Sequence, residues 1–422
     1  MTRPMKIWIV NNHAVPPQLG GLVRHYYFSH YLQEWGHSVR ILTDSMVHNT
    51  EKNFTARGQL IREVDFDDVT FTFVRGMDYH KNDYRRILNG IQFNRNLTRA
   101  MDQLYSAGER PDVIYASSPT PFSGQKAMKF ARKHGIPFVF EERDLWPLSL
   151  VQYGNLEKKI LAKPILAHLY RLEHRLHGNA QASIFTISGG KDYIRDMGWD
   201  DIPQDRIHYI NNGVDLEEYR ENLAHVHYED EDLDDPSTYK VVYTGSIRRI
   251  YEIDRILDLA FAIREELPQV RFLFYGEGPE RPRLEEKARA MGITNVLFKG
   301  RVQKKEIPSI LSRADLTLKH HKKVGLNQYG SSNNKVFEYL ASGRPIFSTV
   351  WNNHSVIRSY DVGIECPDQE VETMVEGLKE VLSWDDDRLS EMKQRAIKAA
   401  EDFDFESLSH RLEKILFEVI EQ

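Results

Sequence analysis

The segment Tyr329–Pro345 reads YGSSNNKVFEYLASGRP: a loop of small polar residues, then a short helix that stops at Gly343 with Pro345 beyond. A loop of this kind turns unpaired backbone N–H groups and the positive end of a helix dipole toward one point. That point suits a phosphate. Lys335 stands at the helix start and adds a cation to the same place. Glu338 follows one turn after Asn334, so both face one side, and its carboxylate can accept from a vicinal diol. An anion cradle beside a diol acceptor fits a nucleotide sugar. Taken alone, an ordinary capped helix with a solvated Glu accounts for the segment as well.

Around this segment the second half of the chain alternates between strands and helices. A strand before Gly245 runs into Gly245-Ser246-Ile247-Arg248-Arg249, and a helix follows over about Asp254–Leu267. The strand Arg271–Tyr275 ends in Gly276-Glu277-Gly278-Pro279, and Asn295–Phe298 ends in Lys299-Gly300-Arg301. Asp315–Leu318 precedes the loop, and Ile346–Val350 follows its helix. This order predicts a doubly wound parallel sheet whose strand ends carry ligand-type loops. A guanidinium at Arg248 or Arg249 can neutralise a diphosphate.

The first half repeats the architecture without a sequence repeat. Ile7–Val10 reads as a buried strand, Asn11–Gly21 (NNHAVPPQLGG) as a loop, about Leu22–Trp35 as a helix and Val39–Thr43 as the next strand. That is a βαβ unit, which implies a parallel sheet. The loop is not GxGxxG, so a dinucleotide fingerprint is absent. Gly20 and Gly21 permit close backbone approach, and a tight turn explains them equally. Further strands are expected at Val69–Val74, Asp112–Ala116, Pro137–Glu141 and Ser183–Ile187. Pro137–Glu141 leads into Glu141-Glu142-Arg143-Asp144-Leu145-Trp146-Pro147. The helix Tyr84–Leu104 carries Arg85, Arg86, Arg95 and Arg99. Leu156–His177 reads as a long helix with an apolar face and a basic one, which suits either an anionic membrane or core packing with a solvated face. The boundary between halves is placed near Ile207–Leu216, and Glu229–Pro236 as a solvated acidic loop.

Composition agrees with two packed domains. The chain has 422 residues with 41% apolar content, more than one core comfortably uses. A net charge of −6 argues against a general nucleic-acid binder. The single cysteine, Cys366, excludes internal disulfides and multi-cysteine metal sites and fits a reducing cytoplasm. The start of the chain lacks a signal-peptide pattern, and no 18-residue apolar segment is present.

The residues NNHAVPPQLGG, EERDLWP, INNGVD, GEGPE, FKGRV and SSNNKVFEYLASGRPI, in this order, resemble the GT-B retaining glycosyltransferases of family four. They are most similar to a bacterial subgroup that builds O-antigen and capsular polysaccharides. The resemblance implies an α/β fold of two doubly wound Rossmann-like domains facing across a cleft. Residues 1–210 would bind the acceptor, 211–402 the nucleotide sugar, and 403–422 would return as a helix to the first domain. The implied reaction moves a sugar from a nucleoside diphosphate sugar to a glycan or a polyprenyl-diphosphate-linked glycan, with anomeric retention. A UDP-sugar is the first expectation for the donor, with no cofactor, no metal and no nucleic acid. The expected place is the cytoplasm, with peripheral contact to an anionic membrane at its inner face.

Carried over residue by residue, Glu338 would bind the ribose hydroxyls. Arg248 or Arg249, Lys335 and the Asn333-Asn334 backbone, in the segment begun by Ser332, would hold the diphosphate. Gly276 ends a donor-side strand; Gly300, Arg301 and Val302 would flank the base, and Gly20 and Gly21 would approach the diphosphate. His13 is the candidate near the sugar or acceptor, and a plain loop histidine is the alternative. Glu142 and Asp144 could orient the acceptor hydroxyl or act as general base; for Asp144 a structural ion pair with Arg143 stands beside that reading, and Trp146 reads as packing. Many family members carry two glutamates separated by seven residues. Gly330 occupies the first of these positions here, so donor hydroxyls should be read differently. A GT-B-type nucleotide-sugar epimerase and a non-catalytic glycan-binding relative share the architecture.

Overall fold

The computed structural model describes residues 3–48, 50–79, 83–154 and 162–422. The chain divides into two units, Met1–Asn211 with Phe405–Gln422, and Asn212–Asp404.

In the first unit eight strands form one sheet in the order β3-β4-β2-β1-β5-β6-β7-β8. They are β1 (Lys6–Val10), β2 (Ser38–Asp44), β3 (Ile61–Phe66), β4 (Val69–Val74), β5 (Val113–Ser117), β6 (Phe138–Glu142), β7 (Ala182–Phe185) and β8 (Ile207–Tyr209). All neighbours are parallel except the antiparallel pair β3 and β4. The central strand KIWIV has apolar residues on both faces because both faces are covered. Ile7 and Ile9 enter one core with the helix Arg24–Glu34, and Trp8 and Val10 enter the other with the helix Tyr84–Ser106. Each such side chain contributes about 1.5–3 kcal/mol on burial. The last helix, Phe405–Ile420, completes the first of these cores with Leu408, Leu412, Ile415, Leu416 and Val419. Phe405 stacks on Tyr27 at 4.6 Å, His410 on Trp35 at 3.7 Å, and the His37 and Glu413 side chains meet at 2.9 Å.

The second unit holds a six-stranded parallel sheet, order β11-β10-β9-β12-β13-β14. Its strands are β9 (Tyr239–Thr244), β10 (Val270–Tyr275), β11 (Val296–Gly300), β12 (Leu316–Lys319), β13 (Ile346–Ser348) and β14 (Gly363–Glu365). The order steps from β9 outward to β10 on one side and to β12 on the other, so the ends of β9 and β12 lie at the topological switch point where doubly wound sheets bind ligands.

Three strands escape the sequence pattern. β3 is an edge strand with Arg62, Glu63 and Asp65 in solvent, and β8 and β14 have only three residues each. The acidic segment 229–236 is not wholly solvated, contrary to the sequence expectation. Leu233 is buried, Tyr275 donates to Asp230 at 2.8 Å, and Lys299 reaches Asp230 at 2.7 Å. Of the predicted helix 156–177, the described part is Lys163–Asn179; residues 156–161 lie outside the described residues. Among the described residues no helix is long and apolar enough to cross a membrane.

Candidate functional site

In the second unit the helix Asn334–Ser342 sits where the strand pattern placed it. Val336, Phe337, Tyr339 and Leu340 bury its inner face, and Gly343 ends it at a φ of 68°. The Tyr339 hydroxyl fixes the helix to the sheet, accepting from Thr244 N at 3.1 Å and donating to Leu318 O at 3.3 Å. The helix start is thereby set against the ends of β9 and β12. Asn333 is the N-cap, and its side chain makes no capping bond; Val336 N donates to its carbonyl at 3.0 Å, which leaves the amides of Asn334 and Lys335 for an anion.

Lys335 is the centre of this site. Its side chain is buried, and among the described residues its Nζ has no hydrogen-bond partner. It lies 3.7 Å from the ring centre of Tyr243 and 4.5 Å from that of Tyr251. Burial lowers its pKa from 10.5 to about 7, with Glu338 opposing. A cation held over aromatic faces without an anion is a group prepared to receive one. Glu338, half-buried, is pushed above the ordinary carboxylate range by burial, against Lys304 and Lys335, while Glu218 adds to the rise.

The surrounding loops are tightly determined. A Cβ on Gly276 would stand 1.7 Å from the carbonyl oxygen of Gly245, so the chain ends of β10 and β9 can meet only as glycine. Gly276 N donates to Gly300 O at 2.7 Å, which brings the third loop alongside. Arg301 is exposed and Val302 half-buried beside it. Ser332 faces inward: its Oγ accepts from Asn212 N at 3.3 Å, and its carbonyl accepts from Asn212 Nδ2 at 3.1 Å. It positions the loop, and Asn334 is exposed at the helix start. Arg248 and Arg249 are exposed and line a cleft of about 420 Å³ with Asp254, Glu280 and Arg283. They flank the turn that carries Tyr251 over Lys335.

The sequence reading missed what holds that turn. Lys319 ends β12 and His320-His321-Lys322-Lys323 follow, and burial lowers the His320 pKa to about 4. Its Nε2 meets Glu252 O at 3.0 Å, and Lys322 N donates to Ile250 O at 2.9 Å. The dense basic run was the available signal.

In the first unit, Asn11-Asn12-His13 leaves β1. His13 N donates to Asn11 Oδ1 at 2.8 Å, the His13 ring lies 4.8 Å from that of His48, and its Nδ1 has no partner among the described residues. Burial lowers its pKa to about 3, helped by His48, Arg86 and Arg143, so the imidazole is neutral at pH 7. Gly20 and Gly21 are exposed, and a Cβ at Gly21 would meet nothing within 4 Å. Local packing therefore does not demand glycine there.

The EERDLWP loop separates into inner and outer groups. Glu141 is an anchor: Arg24 Nε donates to it at 2.9 Å, Ser117 Oγ at 2.6 Å, and Tyr115 also donates to it. Burial would raise its pKa, yet Arg24 and His25 hold it well below the usual carboxylate range. Arg24 also donates to the carbonyls of Ile210 and Asn211, tying the INNGVD segment to the same ion pair. Glu142 is buried and accepts from Ser118 Oγ at 3.0 Å and Trp146 N at 3.3 Å. Burial raises its pKa to about 8, so at neutral pH it is largely protonated. Asp144 is exposed. Leu145, with φ 47°, turns its own side chain inward, and Trp146 packs edge-on to Phe122 at 5.9 Å.

Two family models match the chain. Glycosyltransferase Family 4 covers residues 19–218 and Glycosyl transferases group 1 covers residues 238–383. No curated protein sequence matches. Among solved structures, sucrose-phosphate synthase from Thermosynechococcus elongatus is similar at 15% identity and TM-score 0.71, covering 99% of each chain. WaaG, a glycosyltransferase involved in lipopolysaccharide biosynthesis, is similar at 15% identity and TM-score 0.65, over 97% of this chain and 99% of its own. HepE from Anabaena, in complex with UDP and glucose, is similar at 13% identity and TM-score 0.63, over 98% and 100%. At these identities the structures show the shared fold.

Proposed function

The chain belongs to the family 4 glycosyltransferases with GT-B fold, and on that premise we propose that it transfers a sugar, with retention, from a UDP-sugar to a glycan or polyprenyl-diphosphate-linked acceptor in surface polysaccharide synthesis. The observation that carries the donor half is Lys335, a buried cation without a partner at a helix N-terminus. In this reading Lys335 and the first amides after Asn333 grip the diphosphate, and Arg248 or Arg249 neutralises the departing nucleoside diphosphate. Glu338 accepts from the ribose hydroxyls, and Gly300–Val302 flank the base. HepE supports UDP as the nucleotide, since its structure holds UDP and glucose. The cationic side chains carry the leaving-group charge without calling on a metal.

On the acceptor side, His13 enters as a neutral imidazole able to accept or donate near the reacting hydroxyl. Asp144 is the exposed carboxylate that would orient that hydroxyl, with Glu142 supporting the loop from within. Tyr84, Ile87 and Ile91 are 64%, 67% and 62% exposed on one face of the helix Tyr84–Ser106, which also carries Arg85, Arg86, Arg95 and Arg99. Exposed apolar side chains among arginines are the composition of an anionic-membrane contact. They support a lipid-linked acceptor and a cytoplasmic enzyme peripheral at the membrane face.

The deciding experiment is a thermal-shift panel of UDP-, GDP-, dTDP- and CMP-sugars on the wild type and Glu338→Ala. One nucleotide class should stabilise the wild type and lose most of its effect in the variant. Stabilisation by none of them would overturn the donor assignment. Incubating labelled donor without acceptor distinguishes the epimerase, which would interconvert the sugar.

A further inference from the structure

At the end of β6 lies a second polar cluster, in which Glu142 is joined by two residues that the proposed transfer does not use. Glu142 ends β6; Glu173 and His177 stand one turn apart on the helix Lys163–Asn179, hence on one face of it. All three are buried, with Glu173 at 0% exposure. One ligand-capable atom from each lies within 4.8 Å of the other two, and no direct hydrogen bond joins the three among the described residues.

Each side chain is oriented from outside the cluster. Glu142 Oε1 accepts from Ser118 Oγ, Glu173 Oε1 accepts from the Tyr193 hydroxyl at 2.7 Å, and His177 Nδ1 meets Ser183 Oγ at 2.9 Å. The His177 ring is also clamped on Phe185, parallel within 8° at 5.0 Å. These contacts leave Glu173 Oε2 and His177 Nε2 buried and without a hydrogen-bond partner among the described residues. A buried acceptor left without a partner destabilises the fold, the more so when it is charged.

Three coordinating groups, each held by an outer contact with inner atoms bare, follow the pattern of a metal site and its supporting shell. Two carboxyl groups, which would give up their protons on binding, with one imidazole match a first-row transition dication.

We propose that Glu142, Glu173 and His177 form a buried binding site for a divalent first-row transition metal. The ion clips the helix Lys163–Asn179 to the end of β6, and so fixes the base of the loop that presents Asp144. It is separate from the donor chemistry and does not depend on the assignment of that site. Its competitor is a proton shared, directly or through a buried water, between the two carboxyls and the imidazole.

The test uses the full chain, stripped with a chelator and returned to Zn²⁺ or Mn²⁺, with metal content by mass spectrometry and unfolding by calorimetry. The wild type should retain about one ion per chain after desalting and gain roughly 5–10 °C in Tm at a hundredfold excess over Kd. Glu173→Gln and His177→Gln should keep the circular dichroism of the stripped wild type and lose both the ion and the gain. A folded wild type that takes up neither metal overturns the proposal. So does equal uptake by His177→Gln, or an infrared carboxylic-acid band that persists in metal-treated wild type and vanishes in Glu173→Gln.

Discussion

Replacing Lys335 with Met should make the protein more stable and a poorer binder of UDP. The fall of the Lys335 pKa from 10.5 to about 7 corresponds to roughly 5 kcal/mol, at about 1.4 kcal/mol for each pH unit. Below pH 7 the lysine is charged in both folded and unfolded chains, and the whole penalty falls on the folded state. Between pH 7 and 10.5 the unfolded chain still binds the proton and the folded chain has released it, so stability rises with pH across that window. The faces of Tyr243 and Tyr251 return about 0.5–2 kcal/mol through the cation–π contacts. Methionine fills nearly the same volume without a charge. The expected gain at pH 6 is therefore about 1–4 kcal/mol, and it should shrink as pH approaches 10.

Binding should move the opposite way. A diphosphate at Nζ restores the ammonium, so UDP binding at pH 8 to 9 should take up a proton. Calorimetry in two buffers of different ionisation enthalpy measures that uptake directly. The variant loses a charge-assisted contact worth about 1.5–3 kcal/mol, which is roughly a 10- to 150-fold weaker Kd. A Lys335→Met protein that is less stable at pH 6 and binds UDP as the wild type does would refute the reasoning from burial to function.

Three other outcomes are expected. Arg24→Met should destabilise the first unit by about 3–5 kcal/mol in urea unfolding, because it leaves Glu141 charged and buried without its partner. Ile87→Asp with Ile91→Asp should abolish sedimentation with anionic vesicles at low salt and leave Tm unchanged, since both side chains are largely exposed; retained binding would remove the membrane role of this face. Gly276→Ala should unfold or misassemble the second sheet at a cost of at least about 3 kcal/mol, read as loss of soluble protein or of cooperative unfolding, because its methyl would collide with the backbone at Gly245.

The strands that carry the site were legible because they are buried on both faces and so read as continuous apolar runs: KIWIV, VVYT, RFLFY. The helix Asn334–Ser342 was legible because its apolar spacing ends at a glycine. What escaped were contacts made across long stretches of sequence. Arg24 meets Glu141 and the Ile210 carbonyl, and nothing local marks this arginine, at the start of a helix that also carries His25, His30 and Glu34, as a buried one. Glu142 and Asp144 lie two residues apart and looked interchangeable, yet the strand ends at Glu142, which stays buried, and the turn at Leu145 leaves Asp144 in solvent. Glu173 and His177 drew no notice beside the apolar and basic faces of their helix, and only the structure shows them buried with Leu169, Leu172 and Leu176.

Gly330 shows how a departure from a family pattern acquires physical content. The sequence comparison counts a missing carboxylate at that position. The backbone adds that Gly330 has φ 101° and ψ −169°, at the end of the helical turn Gly325–Tyr329. That conformation is essentially reserved for glycine, and a side chain there would cost about 1–3 kcal/mol. The glutamate is therefore not simply absent from an unchanged loop, because the loop follows a path that a glutamate would strain. Restoring it as Gly330→Glu should lower Tm without improving turnover of any donor. A variant that folds as well as the wild type and gains activity would show that the loop path is adaptable and that the carboxylate alone sets which donor hydroxyls are read.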